Sequence, residues 1–173
     1  KKIKFQNHQI KLKYNKDNLY VEGFGEFLIQ NIEDKIRYKI SKSKKKIAFD
    51  LGFEITKNKF NLDFINYQKK ENSNLEFLVS GNKISDNSYS LKKISLKEND
   101  NKIEILDLIL INNKIDKFKI IDFNYFDKEN LQNKFKISKN NKIYILKGDY
   151  LNLNQIIEKV LISENKKKIN LFK

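Results

Sequence analysis

The chain has 173 residues, 39% of them hydrophobic and 34% charged, with a formal net charge of +14 and no Cys, Met, Trp or Pro. That length, with 13 Phe and 8 Tyr, suits one folded domain with a real core and excludes a purely disordered tail. Without Cys there are no disulfides or thiolate metal sites, and no run of eighteen apolar residues exists to span a bilayer as a helix.

The charge is carried almost wholly by Lys, with Arg present once, at Arg37. Abundant Lys, Asn, Ile, Phe and Tyr is what an AT-rich coding sequence produces, and a nucleic-acid surface would favour Arg, whose planar fork fits phosphate and base edges. The positive charge therefore reads first as a solvated lysine face, which also hinders edge-to-edge aggregation of strands. Beginning at Lys1 and lacking Met, the sequence is expected to be a piece of a longer chain.

In chain order, Lys2–Gln6 and Gln9–Asn15 read as two short strands broken near Asn7-His8. Leu19–Asn31 is a longer extended run in which Gly23 and Gly25 predict a bulge, a bend or the close approach of another backbone. Ile36, Tyr38 and Ile40 share one face of the next run. The clearest pattern is Lys46–Tyr67: Ile47, Phe49, Leu51, Phe53 and Ile55 alternate with polar or small residues, and Phe60, Leu62 and Phe64 follow after Lys57-Asn58-Lys59. Alternation of this kind predicts a hairpin with one apolar and one wet face.

Leu75, Phe77 and Val79 form the next set, and a short segment around Ile84 lies between the turn signals Gly81-Asn82 and Ser85-Asp86-Asn87. Leu91 then gives way to Ile94 and Leu96, a change of phase that places a bulge at Lys92-Lys93. Glu98–Asn101 reads as a turn. Ile103–Ile111 is the most apolar strand, with Leu106, Leu108 and Leu110 on one face, and is the candidate for a fully covered central position. Asn112-Asn113 is a tight turn before Ile115–Tyr125. Phe135 and Ile137 pair with Ile143 and Ile145 across Asn140-Asn141.

The period changes only at Asn152, where Leu153, Ile156, Ile157, Val160 and Leu161 take helical spacing behind a capping-box arrangement of Asn152 and Gln155. The expected architecture is thus all-β: an antiparallel meander of about ten to twelve strands, curled and groove-like, with one short C-terminal amphipathic helix. A closed sandwich or barrel is the alternative. Residues 1–163 form the domain, or a segment of a longer β-groove, and 164–173 a linker or the start of a further unit.

No catalytic or metal constellation emerges. His8 is the single histidine, with no second His or Cys to build a site around it. Acidic pairs such as Asp122 with Asp127, or Glu104 with Asp107, have no spacing that selects them for glycoside chemistry. An oligonucleotide-binding sheet would place aromatics beside the basic residues, whereas Phe49, Phe53, Phe60, Phe64, Phe77 and Phe135 share the aliphatic face.

The C-terminal phrases carry a resemblance. Phe118–Tyr125, Asn133–Ile137, the run from Asn141 to Leu146 and Gly148-Asp149-Tyr150-Leu151-Asn152 through Ile157 resemble the AsmA-like family of YhdP- and TamB-related envelope proteins of Gram-negative bacteria, in its α-proteobacterial form. Leu62–Tyr67 and Leu75–Gly81 are similar to earlier phrases of that family, although Asn152 stands where an acidic residue is expected.

The resemblance implies a non-enzymatic, cofactor-free periplasmic segment, anchored to the inner membrane through a part of the protein absent here, that carries phospholipid between the inner and outer membranes. The lipid-binding row would be Phe49, Leu51 and Phe53, then Phe60, Leu62 and Phe64, then Phe77 and Val79, and finally Phe135 and Ile137. Two other readings stay open: a structural module of an envelope protein whose apolar face is ordinary core, and a nucleic-acid-binding β-domain.

Overall fold

The computed structural model describes residues 3–44, 46–140 and 143–152. Among them lie β1 (Ile3–Asn15), β2 (Asn18–Ile29), β3 (Ile32–Ser43), β4 (Lys46–Ile55), β5 (Asn61–Leu62), β6 (Tyr67–Gln68) and β7 (Leu75–Ser85). They continue with β8 (Ser88–Glu98), β9 (Asn101–Ile111), β10 (Lys114–Lys117), β11 (Ile120–Phe126), β12 (Gln132–Asn140) and β13 (Ile143–Tyr150).

Eleven strands form one antiparallel sheet in the order β1-β2-β3-β4-β7-β8-β9-β11-β12-β13, with β10 also on β9. Each main strand thus lies beside its neighbour in the chain, the arrangement of a meander. β1 and β13 are not paired with each other, so the sheet is open and does not close into a barrel. The helix expected from Asn152 onward and the segment 164–173 fall outside the described residues, Asn152 itself excepted.

Turn chemistry explains much of this order. Gln30 and Asn31 have φ of 55° and 66°, and Asn112 and Asn113 have φ of 50° and 60°, the left-handed pairs that two-residue hairpin loops need. The Ile111–Lys114 hairpin therefore forms where Asn112-Asn113 predicts it. The run expected to continue from Ile115 to Tyr125 is split, because β10 ends at Lys117 and β11 begins at Ile120.

Several local expectations are corrected. Residues 3–15 make one strand, with the break at Asn7 absorbed as a bulge at φ 52°. Gly23 and Gly25 lie in an unbroken β2, where the absence of a side chain makes room for the Tyr38 and His8 rings. Gly81-Asn82 is strand and not turn: β7 runs through it, with the Leu91 backbone packed over Gly81. The bulge at Lys92-Lys93 forms as expected, since Ser80 faces Lys93 while Gly81 faces Leu91. Opposite it, Asp107 adopts φ 52°, which puts Leu106 and Leu108 on opposite faces of β9. β9 is central, yet Ile111 at its end is exposed.

The largest correction concerns Lys46–Tyr67. β4 pairs with β3 and β7 and not with the following segment. Residues 56–74 leave the sheet, and β5, a 3-10 turn over Asp63–Ile65 and β6 make a small two-stranded unit of their own. This unit packs on the apolar face, and the core lies beneath it. Phe60, Leu62, Ile65 and Tyr67 meet Phe27, Phe53, Leu75, Phe77, Leu96 and Phe123 there.

Candidate functional site

Strand register turns the alternating pattern into continuous apolar rows across the sheet. Ile36, Phe53, Phe77, Leu96, Ile103, Phe123 and Phe135 are successive cross-strand partners from β3 to β12. One step along the strands, Tyr38, Leu51, Val79, Ile94, Ile105, Ile121 and Ile137 make a second row on the same face. Ile40 and Phe49 begin a third. Side chains two residues apart share a face, so these rows form one apolar surface.

The 56–74 unit closes only part of it. The first row is core: Leu96 is 2% exposed and Phe123 5%. Phe53 packs against Phe27 and Phe77, and Phe123 stacks on Phe135 at 4.6 Å between ring centroids. Phe49, Leu51, Val79, Ile94 and Ile105, further along, stand outside this core and are only half-buried. Towards β1 the face becomes exposed at Ile10 and Leu12.

Buried polar groups hold the closing unit in place like a plug. Glu98 at the end of β8 is 1% exposed and accepts hydrogen bonds from Tyr67 Oη (2.6 Å), the Lys70 backbone N–H (2.6 Å), Asn101 Nδ2 (3.1 Å) and Ser73 Oγ. Burial alone would raise the pKa of this carboxyl, but the four donors outweigh it and hold it below the usual carboxylate range. Asp34 on β3 accepts the backbone N–H groups of Thr56, Lys57 and Asn58, together with Asn58 Nδ2. Burial again opposes, and these donors again leave the pKa lowered.

On the other flank, Tyr125 Oη donates to the Ile65 carbonyl at 2.9 Å and the Lys128 N–H donates to the Asn66 carbonyl at 2.9 Å. Asp127 gathers the Glu129 and Leu131 N–H groups and Asn152 Nδ2. The buried Lys69 ammonium donates to the Thr56 and Lys70 carbonyls. Burial, then the hydrogen bond to Glu98, pushes the Tyr67 phenol far up, so Tyr67 stays a neutral donor; Tyr125 is raised mainly by burial.

No protein-family model matches this chain, and no curated protein or solved structure matches it. The likeness of its C-terminal phrases to AsmA-like proteins remains a resemblance of pattern.

The ten residues of the expected lipid-binding row are divided by the plug. Phe53, Phe77, Phe135 and Ile137 lie in or against the covered core, while Phe60 and Leu62 belong to the plug itself and point into that core. Phe64 is 63% exposed on the 3-10 turn, away from the apolar face. Phe49, Leu51 and Val79 lie beyond the plugged core and are half-buried. An acyl chain touching all ten would have to displace the plug.

Sequence names Asp127 only in an acidic pair that nothing selects and misses the anchoring role of Asp34 and Glu98, although these two carry a signal. Asp34 is in phase with Ile36 and Tyr38, and Glu98 with Ile94 and Leu96. A carboxylate in phase with an apolar row must be buried and satisfied.

The opposite face is polar. Its open depression, about 860 Å³, is lined by Lys11, Glu22, Lys39, Asp50 and Lys93 with Phe24 among them. Its cations and anions are largely matched: across strands Lys39 with Glu22, Arg37 with Glu76 and Lys93 with Glu104, and within β9 Lys102 with Glu104. Glu104 faces Asp122 across β9 and β11, but burial is outweighed by Lys102 and Lys93, which hold its pKa down. A general acid needs the opposite shift. His8 sits in the β1 bulge, with Nδ1 3.2 Å from Tyr38 Oη, Nε2 3.0 Å from the Glu26 carbonyl and its ring stacked on Tyr38. Among the described residues no three His, Asp or Glu side chains converge as a metal site.

Proposed function

We propose that this protein is a non-enzymatic lipid-binding module. The part of its apolar sheet face beyond the plug takes the acyl chains of a phospholipid, and the sheet serves as one segment of a curled groove that moves lipid between the two membranes of a cell envelope. One observation carries the reading: the apolar rows continue past the plug onto Phe49, Leu51, Val79, Ile94 and Ile105, which lie outside the plugged core and stay partly exposed. A contiguous apolar surface of this kind marks a ligand or interaction site. Anionic head groups would meet the lysines at the rim of the sheet, and the resemblance to AsmA-like proteins supports a periplasmic setting.

The charge-matched polar face disfavours the nucleic-acid reading, since its anions would repel phosphate. The structural-module reading draws on the plug, which already makes an ordinary core of the first apolar row. Native mass spectrometry of gently purified protein separates the two. The lipid reading expects co-purified phospholipid that is lost in Leu51→Glu while the fold is retained. A lipid-free spectrum, with no uptake from added phospholipid, would leave the structural module.

A further inference from the structure

We infer that the end of the sheet opposite the plug docks on a bilayer surface that carries anionic phospholipid. Strand register defines this end. Leu19, Lys42, Ile47, Lys83, Tyr89 and Leu110 are successive cross-strand partners from β2 to β9, about 20 Å along β4 from Phe53 beside the core. In this row and the turns beyond it (residues 14–19, 42–44, 46–47, 83–89 and 110–115) stand six lysines, Lys16, Lys42, Lys44, Lys46, Lys83 and Lys114, against the two carboxylates Asp17 and Asp86. The plug end, residues 3–5, 27–34, 55–75, 98–101 and 125–133, reverses the balance, with eight carboxylates against six lysines. A coding bias towards Lys would load both ends alike, so composition does not account for the difference.

These lysines are available to a partner. Five of the six are exposed, and among the described residues only Lys83 is ion-paired, to Asp86 at 2.7 Å. Apolar side chains stand among them: Ile84, Ile111 and Ile115 are 56%, 42% and 60% exposed. The turns that carry both are tied in pairs. The Lys44 N–H donates to the Asp17 carbonyl at 3.2 Å, and the Asn112 N–H to the Asn87 carbonyl at 2.8 Å, so neighbouring turns meet a partner as a preformed surface.

A bilayer surface takes both kinds of side chain. Anionic head groups attract the ammonium ions, while the isoleucines sink to the interfacial depth and the lysine stems snorkel back to the head groups. A nucleic acid would pair the lysines and leave the isoleucines in water. Docking of this end goes beyond acyl-chain binding and does not need it. The half-buried Leu51 and Phe49 nevertheless run on along β4 to Ile47 at the same end, so docking would turn the groove towards the membrane.

The test is sedimentation of the full chain with vesicles of phosphatidylcholine alone or mixed with phosphatidylglycerol. Strong association with the mixed vesicles and little with phosphatidylcholine is expected. Lys42→Glu combined with Lys46→Glu should weaken it at least about twentyfold, from about fivefold for each lysine lost near the surface. The charge-matched control, Lys59→Glu combined with Lys70→Glu in the plug, should weaken it by less than about threefold. Ile84→Ser combined with Ile115→Ser should cost about tenfold at unchanged charge. All these positions are exposed, so the variants should melt as the wild type does. Equal losses in the two charge variants, binding indifferent to the isoleucines, equal binding to both vesicles, or none, would each overturn the inference. So would an oligonucleotide bound more tightly than the vesicles and released by the Lys42 and Lys46 changes. Co-purified phospholipid without vesicle binding would overturn docking and leave the acyl-chain reading intact.

Discussion

Replacing Glu98 should release the plug without melting the sheet. In Glu98→Ala the donors Tyr67 Oη, Ser73 Oγ and Asn101 Nδ2 lose their acceptor, and all three belong to residues exposed by less than a tenth. A buried donor left unsatisfied costs about 1–3 kcal/mol, and partial rehydration as the plug loosens brings the sum to about 4 kcal/mol. Glu98→Gln keeps the shape and one good acceptor but turns an amide N–H towards donors, at a cost of about 2 kcal/mol. Glu76→Ala removes only the exposed Arg37 pair and should cost under about 1 kcal/mol.

Denaturant titration gives these costs, and hydrogen exchange locates them. Protection should fall at Tyr67 and Gln68 in the Glu98 variants, while β2 and β3 keep theirs. If exchange rises uniformly over sheet and plug, or stays unchanged at Tyr67 while Glu98→Ala unfolds at the wild-type midpoint, Glu98 is not the anchor.

Acid should act on the same element. Asp34 and Glu98 both titrate below their ordinary values of 3.8 and 4.5, so the unfolded state binds protons more readily than the folded one. Their contribution is complete above those ordinary values and is lost as pH falls through the lower folded ones, which hydrogen exchange of the plug across pH 5 to 2 should follow; stability unchanged across that window would contradict it. Gly25→Ala drives a methyl into the His8 ring and should cost about 1–3 kcal/mol in thermal unfolding, whereas at Gly52 the methyl meets Arg37, a flexible exposed side chain, and the loss should be smaller. Phe53→Glu puts a charge among the rings of Phe27 and Phe77 and should abolish cooperative unfolding, while Phe64→Ser should shift stability by no more than about 0.5 kcal/mol.

Period-two alternation made the meander legible, because a strand that buries one face writes that face into every second residue. The bulge at Lys92-Lys93 could be read as a change of phase, and the Asn112-Asn113 hairpin as a pair of residues that tolerate left-handed φ. The same alternation misled at Phe60–Phe64. Those residues have strand spacing, but Asp34, far away in sequence, takes the N–H groups of Thr56 to Asn58 and turns the chain out of the sheet. The phase of Asp34 shows that it needs buried partners, but nothing near Thr56 marks those N–H groups as the ones.

Gly81 misled in the opposite direction, as a turn signal that instead admits the Leu91 backbone. The apolar face was legible as a surface. Its division into a plugged and an open part was not, since Phe53 and Leu51 are alike in sequence and differ only in what lies above them.

The most direct measurement of the central claim exploits the absence of Trp from the chain. Leu51→Trp and Lys97→Trp each introduce one fluorophore, the first on the open apolar face and the second on the polar face of β8. Added as vesicles or micelles, phosphatidylcholine brominated on its acyl chains should quench the tryptophan at position 51 and leave that at 97 bright. Equal quenching at the two positions, or none at 51 under conditions where the protein remains folded, would contradict a lipid-binding face.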